Sequence, residues 1–292
     1  MICDIVTGII SGLITNRIQK NIEIKDDILL KEEVSIGEEK LSKVPKIQSY
    51  TDEVAERLNI SVEQLNTNEK SLSASLICDF LNYKSVSEVE DFFLGKKEPS
   101  LEFLKDYSNF FGLELDWLRH GKGSVFLQLN QYETYPLGYR TCVNNLNPKE
   151  IYFVRSEGDS GYSGIILKLS NYKYLTLPST YMICGNVGAT GNLQIESFFD
   201  LIESLSLNHS GKINGLFIGE KVFSDLFCGK IYPGKVIKSA RKTSYWWDDF
   251  LDYEHKLPIS KGYEHLYGIS FIKAQQIVKL QKERTMPCIT DR

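Results

Sequence analysis

The 292-residue sequence predicts an α+β protein, an all-α N-terminal bundle followed by a mixed α+β domain with an antiparallel sheet. Three observations carry this. Between residues 48 and 123 apolar residues recur at helical spacing, and strand signals are sparse. From residue 130 onward the texture changes to short β-rich runs, "EIYFVRS", "SGIILKLS" and "YKYLTLP", separated by Gly, Ser and Asn. Hydrophobic content of 42% and aromatic content of 12% are those of a chain with packed cores, and the length suits about two of them.

The first element spans residues 1–47, an amphipathic helix and a charged linker. Ile2, Ile5, Val6, Ile9, Ile10, Leu13 and Ile14 form one helical stripe, with Gly8 and Gly12 at small-xxx-small spacing. The uncharged run from Ile5 to Asn16 is shorter than the ~20 residues a membrane span needs. No secretory pattern surrounds it, so helix pairing within the fold or between subunits is expected, and stable membrane insertion is not. "NIEIKDDILLKEEVSIGEEKLSKVPKI" is charge-rich and carries a Gly and a Pro, as linkers do.

The second element is a helical domain over residues 48–127. "SASLICDFLNYK" has an apolar face of Leu76, Ile77, Phe80 and Leu81. "SVSEVEDFFLG" starts on Ser85 with Glu88 at the third helical position, a capping box, and ends at Gly95. Val86, Val89, Phe92 and Phe93 share one side. In "PSLEFLKDYSNFFG", Ser100 caps, Leu101, Leu104, Ser108 and Phe111 share a face, and Gly112 suits a left-handed exit. "LELDWL" adds one short turn, with Trp117 as an interface plug. Two short helices joined by a tight turn and backed by a third follow the helix-turn-helix plan.

The stretch "LNYKSVSEVEDFFLGKKEPSLEFLKDYSNFFGLELDWLRHGKG" resembles the phage-repressor (Cro/repressor, XRE-like) helix-turn-helix domain, over about residues 50–126. The shared features are Gly95, Lys96, Pro99 and Ser100 at one junction, and Asp116, Trp117, Leu118, Gly121 and Gly123 in the tail. The resemblance implies a DNA-binding, repressor-like transcriptional regulator of bacterial or phage type, acting in the cytoplasm on double-stranded DNA. It implies that the helix over about 86–94 enters the major groove. Ser85, Ser87, Glu88 and Asp91 then fall at groove-facing positions, and Lys84, Lys96 and Lys97 are the available phosphate contacts. The chain departs from the family by placing Glu88, Glu90 and Asp91 where basic or neutral polar residues are usual, and carboxylates repel a polyanion. The competing reading is a module that docks a protein, for example in a phage-defence system, and does not bind DNA.

The third element, residues 128–292, carries no recognised family pattern and is expected to serve sensing or self-association, as a homodimer or higher homo-oligomer. Two stretches in it stand out. "GNVGATGNLQIESFF" places Gly185, Gly188 and Gly191 before a helix, but as G-x-x-G-x-x-G, so a surface loop or hairpin turn is favoured over a phosphate cradle. "GKIYPGKVIKSARKTSYWW" interleaves Lys235, Lys238, Arg241 and Lys242 with aromatics, a candidate second nucleic-acid contact. A solvated β-hairpin with outward lysines is the favoured reading, since Asp248, Asp249, Asp252 and Glu254 follow at once.

The net charge of -4 supplies no global field for nucleic acid, so any contact must be local. The six cysteines lie far apart without C-x-x-C spacing, and the four histidines lack metal-ligand spacing. No nucleophile–base pair is local. No catalytic residue, metal or cofactor is therefore expected.

Overall fold

The computed structural model describes residues 49–66, 71–240, 245–257 and 262–285. The N-terminal stripe, its linker, Arg241 and Lys242 lie outside the described residues. Residues 48–292 cluster as one compact unit, and the fold class is α+β as the sequence predicts.

Among the described residues five helices come first: α1 (Tyr50–Leu65), α2 (Ala74–Leu81), α3 (Val86–Phe93), α4 (Leu101–Phe111) and α5 (Leu115–His120). Local chemistry fixes their ends. Ser49, Ser73, Ser85 and Ser100 each accept a hydrogen bond from an amide in the following first turn. Asn82 and Gly112 close α2 and α4 in the left-handed region. Gly112 is required twice over. Its φ is +70°, and an added Cβ would lie 3.2 Å from the Tyr174 carbonyl oxygen, a tight approach to which the backbone would have to yield slightly. Trp117 is buried, 8% exposed.

A 3₁₀ turn (Pro136–Tyr139) and α6 (Arg140–Leu146) lead into β1 (Glu150–Ser156), β2 (Tyr162–Lys168), β3 (Tyr174–Thr176) and β4 (Tyr181–Met182). Then come α7 (Ala189–Asn208), β5 (Ile213–Ile218), α8 (Glu220–Phe227), α9 (Pro233–Ser239), α10 (Trp246–Leu251), α11 (Gly262–Tyr267) and α12 (Ile269–Thr285). The strand order is β3-β2-β1-β5, with β4 pairing β2. The expected antiparallel pairing holds for β1 with β2 and for β2 with β3 and β4, whereas β5 joins β1 in parallel. The 56 residues between the end of β1 and the start of β5 supply the crossover a parallel pair needs.

Both faces of the sheet are covered, so β1 reads as a nearly unbroken buried run. Tyr152, Val154, Ile166, Leu216 and Ile218 point to one side and share a core with the five-helix bundle, α8 and α9. Ile151, Phe153, Ile165 and Leu167 point to the other and pack on α7, α10 and α12. The bundle is therefore seated on the sheet. Residues 125–129 run along the seam: the Leu127 amide donates to the Gly112 carbonyl at 2.9 Å, and the Leu129 amide to that of Thr176 at 2.9 Å.

Candidate functional site: the exposed surface of α3

α3 is held from behind and open in front. On its inner side Val89 and Phe92 are buried. Asn59 of α1 donates from Nδ2 to the Phe93 carbonyl at 2.9 Å, satisfying an end group of α3. Arg57 of the same helix donates to the Leu118 and Arg119 carbonyls, each at 2.9 Å, and ties α1 to the end of α5. One helix thus fixes both α3 and the tail of the bundle.

On the outer side Lys84, Ser87, Glu90, Lys96 and Lys97 are exposed, and Ser85, Glu88 and Asp91 are half-buried. The capping box is only half built. Ser85 Oγ accepts from the Glu88 amide at 3.3 Å and lies 3.1 Å from Ser87 Oγ. The Glu88 carboxylate instead takes Lys97 Nζ as an ion pair and accepts from the Tyr83 hydroxyl. Hydrogen bonding from Lys97 holds Glu88 below the usual carboxylate range, and Glu88 raises Lys97 in return. One of the three lysines assigned to phosphate is therefore already neutralised from within. Over residues 84–98 three lysines face four carboxylates, so the surface is close to balanced rather than basic.

Two features of this surface do not follow from the sequence pattern. Val86 (41% exposed) and Leu94 (63% exposed) are apolar and open to solvent. Behind Leu94 lies a cavity of about 400 Å³ between α1, α2 and α3, lined by Val62, Leu72, Ile77, Phe93 and Glu90 among others. Helical periodicity places Val86 on the buried face, but at the first helical position that face has already turned past the neighbouring helices. Leu101 is exposed at the start of α4 in the same way.

The second basic stretch is not a hairpin. "PGKVIKS" forms α9, with Pro233 at its first turn and Val236 and Ile237 buried, which corrects the strand expectation. Lys235 and Lys238 are both exposed on this helix. Lys238, Tyr245 and Trp247 border a cavity of about 570 Å³, whereas Lys235 is not among its lining. Of the loop and the hairpin turn expected for the glycine stretch 185–191, residues 185–188 take the loop, Gly188 is the N-cap of α7 and Gly191 lies within that helix.

Among the described residues no group of three or more His, Cys, Asp or Glu side chains is placed to hold a metal ion. No helix among them is long and apolar enough to cross a membrane. Cys78, Cys142, Cys184 and Cys228 are free thiols. No protein family, curated protein or solved structure matches the chain.

Proposed function

We propose that the protein is a cytoplasmic DNA-binding regulator, repressor-like in plan. In this reading α3 enters the major groove of a duplex, and the sheet half supplies self-association or signal sensing. The observation that carries it is the exposure of α3. Nothing among the described residues covers the face bearing Lys84, Ser87, Glu90 and Lys96, and a helix of that length fits the groove. Ser85 and Ser87 offer hydroxyls to base edges, Lys84 and Lys96 flank the helix as phosphate contacts, and Lys97 joins them on leaving Glu88. Self-association of the chain would set half-site spacing.

The test is sequencing of genomic DNA that co-purifies with the intact protein, followed by titration of the enriched duplex at several salt concentrations. One palindromic site is expected. Lys96→Glu with Lys97→Glu should weaken binding across sequences and lower the salt slope by about one for each phosphate that is no longer neutralised. No enriched site, or a titration indifferent to both changes, overturns the reading.

A second reading is favoured by a specific observation. Leu94 stands exposed at the 400 Å³ cavity and Val86 is exposed at the start of α3, and a near-neutral surface with apolar points suits protein docking better than DNA. Co-purification of a stoichiometric protein partner, abolished by Leu94→Lys, would decide for it.

A further inference from the structure

α8 follows β5 directly and packs over β1, and beside it, at the carboxyl ends of this parallel pair, lies a cavity of about 450 Å³. In open α/β sheets the carboxyl ends of parallel strands are where a ligand crevice forms. The volume falls within the range of small-molecule sites.

Three kinds of group line it. Phe223 and Phe227 of α8 form an apolar side, their ring centroids 4.5 Å apart, and Tyr162 of β2 extends it, 6.3 Å from Phe223. Gly164 makes room for this arrangement, since a Cβ there would lie 2.4 Å from the Phe227 ring. At the inner end is Ser156, the last residue of β1, fully buried and with no hydrogen-bond partner for its hydroxyl among the described residues. A hydroxyl buried without a partner is costly, and where it borders a cavity a ligand that hydrogen-bonds it accounts for it. At the outer end is Glu220, exposed on the first turn of α8. Ser160 Oγ donates to its Oε1 at 3.1 Å, and Gly158 leaves space beside it, where a Cβ would lie 2.7 Å from the same oxygen. No Lys, Arg or His is among the lining, so the carboxylate sets the sign of the site.

A ligand matching these groups is flat and apolar in the middle, positive at its outer end and hydroxylated at its inner one. We propose that the cavity binds a small hydroxylated aromatic amine. Its ring packs along Phe223 and Phe227, its ammonium meets Glu220, and its hydroxyl bonds Ser156. The inference does not depend on duplex binding by α3.

The test uses the full-length chain and matched probes: 5-hydroxytryptamine, tryptamine, which lacks the hydroxyl, and 5-hydroxyindole-3-acetate, whose carboxylate replaces the ammonium. In calorimetric titration and thermal melting, 5-hydroxytryptamine is expected to bind saturably and to raise Tm with concentration. Tryptamine should bind about fivefold more weakly, the loss of one hydrogen bond, and the acetate should not bind at about 1 mM. Ser156→Ala removes a hydroxyl that the fold leaves unpaired, so Tm of the free protein should hold while 5-hydroxytryptamine loses its advantage over tryptamine. Glu220→Gln should weaken both amines about threefold. Ser224→Trp fills the cavity from an exposed position of α8 and should abolish binding. If Ser156→Ala fails to fold, the other two variants carry the test. No binding of 5-hydroxytryptamine at about 1 mM, equal binding of amine and acetate, a hydroxyl advantage that survives Ser156→Ala, or binding indifferent to Ser224→Trp overturns the proposal. Duplex titration on the same samples keeps the two readings apart: amine binding without duplex binding sinks the regulator alone, and the reverse sinks this site alone.

Discussion

The helical bundle and the sheet half differ in one charge, an arginine that the sheet half holds in its interior. In the bundle the Glu88–Lys97 ion pair lies at the surface, where water solvates both partners and the pair contributes little. In the sheet half Arg155 lies on β1 with 1% exposure, and no carboxylate among the described residues pairs with it. Its Nη1 donates to the carbonyls of Ile183 at 3.0 Å and Gly161 at 3.3 Å, while Nε and Nη2 have no hydrogen-bond partner among the described residues. The guanidinium lies over the Phe271 and Trp246 rings, 5.3 and 5.9 Å from their centroids. The bundle keeps its charges where water can reach them, and the sheet half breaks that rule in its interior. Places where such rules fail are where binding sites tend to be built.

The contrast holds only if the two regions fold as one body, and the largest expected effect tests that. Phe111 is fully buried in the core shared by α4 and the sheet, in contact with Phe80, Phe110, Tyr107 and Tyr172. Phe111→Ala is expected to cost about 3–5 kcal/mol. Native-state hydrogen exchange should show amides of α4 and of β1 losing protection together. Deprotection confined to residues 50–120 would mean that the bundle is a separately stable domain.

The next effect runs in the stabilising direction. Burial lowers Arg155 to about 10 from its ordinary 12.5, so the folded state opposes its charge. A depressed folded value gives stability that is complete above the unfolded pKa and missing at neutral pH, where the group is charged. Removing the charge therefore recovers it. Arg155→Met, of similar length and apolar, is expected to be neutral or to stabilise the fold by up to about 4 kcal/mol, read as a rise in Tm. A clear fall in Tm would show that the carbonyl and aromatic contacts outweigh desolvation, and the contrast between the halves would then be one of appearance.

What can be read from the sequence divides along the same line. The bundle is legible because its signals are local. Ser85 and Ser100 cap within three residues, and Gly112 ends α4 where the chain needs a left-handed residue. The sheet half is less so, because its organising contacts are distant. The parallel pairing of β5 with β1 joins residues about 62 apart, which no short pattern encodes. α9 reads as a strand because Val236 and Ile237 between lysines satisfy a strand pattern as well as a helical one, and Pro233 is the signal that separates the two. The 450 Å³ cavity is invisible for a similar reason, drawing Ser156, Tyr162 and Glu220 from three different elements. Even in the bundle, the Glu88–Lys97 pair spans the end of α3, whereas the capping-box spacing points Glu88 elsewhere.

The smallest expected effect separates the halves by pH. His209, at the end of α7, places Nε2 2.9 Å from Asn144 Oδ1 of α6, and burial, then Lys212, lowers it from 6.5. The fold accommodates neutral His209, so its contribution is complete above pH 6.5 and is lost as pH falls through the lower folded value. Glu88 is lowered from 4.5 by Lys97, so the bundle's contribution stays complete until pH drops below 4.5. Between pH 6.5 and 4.5, melting should therefore report His209 in the sheet half and not Glu88 in the bundle. His209→Gln should flatten the fall in Tm across that window, and Glu88→Gln should leave it unchanged while flattening the region below pH 4.5. If Glu88→Gln alters the upper window, the two regions share a titration, and the surface of α3 is electrostatically coupled to the far side of the sheet through the core that joins them.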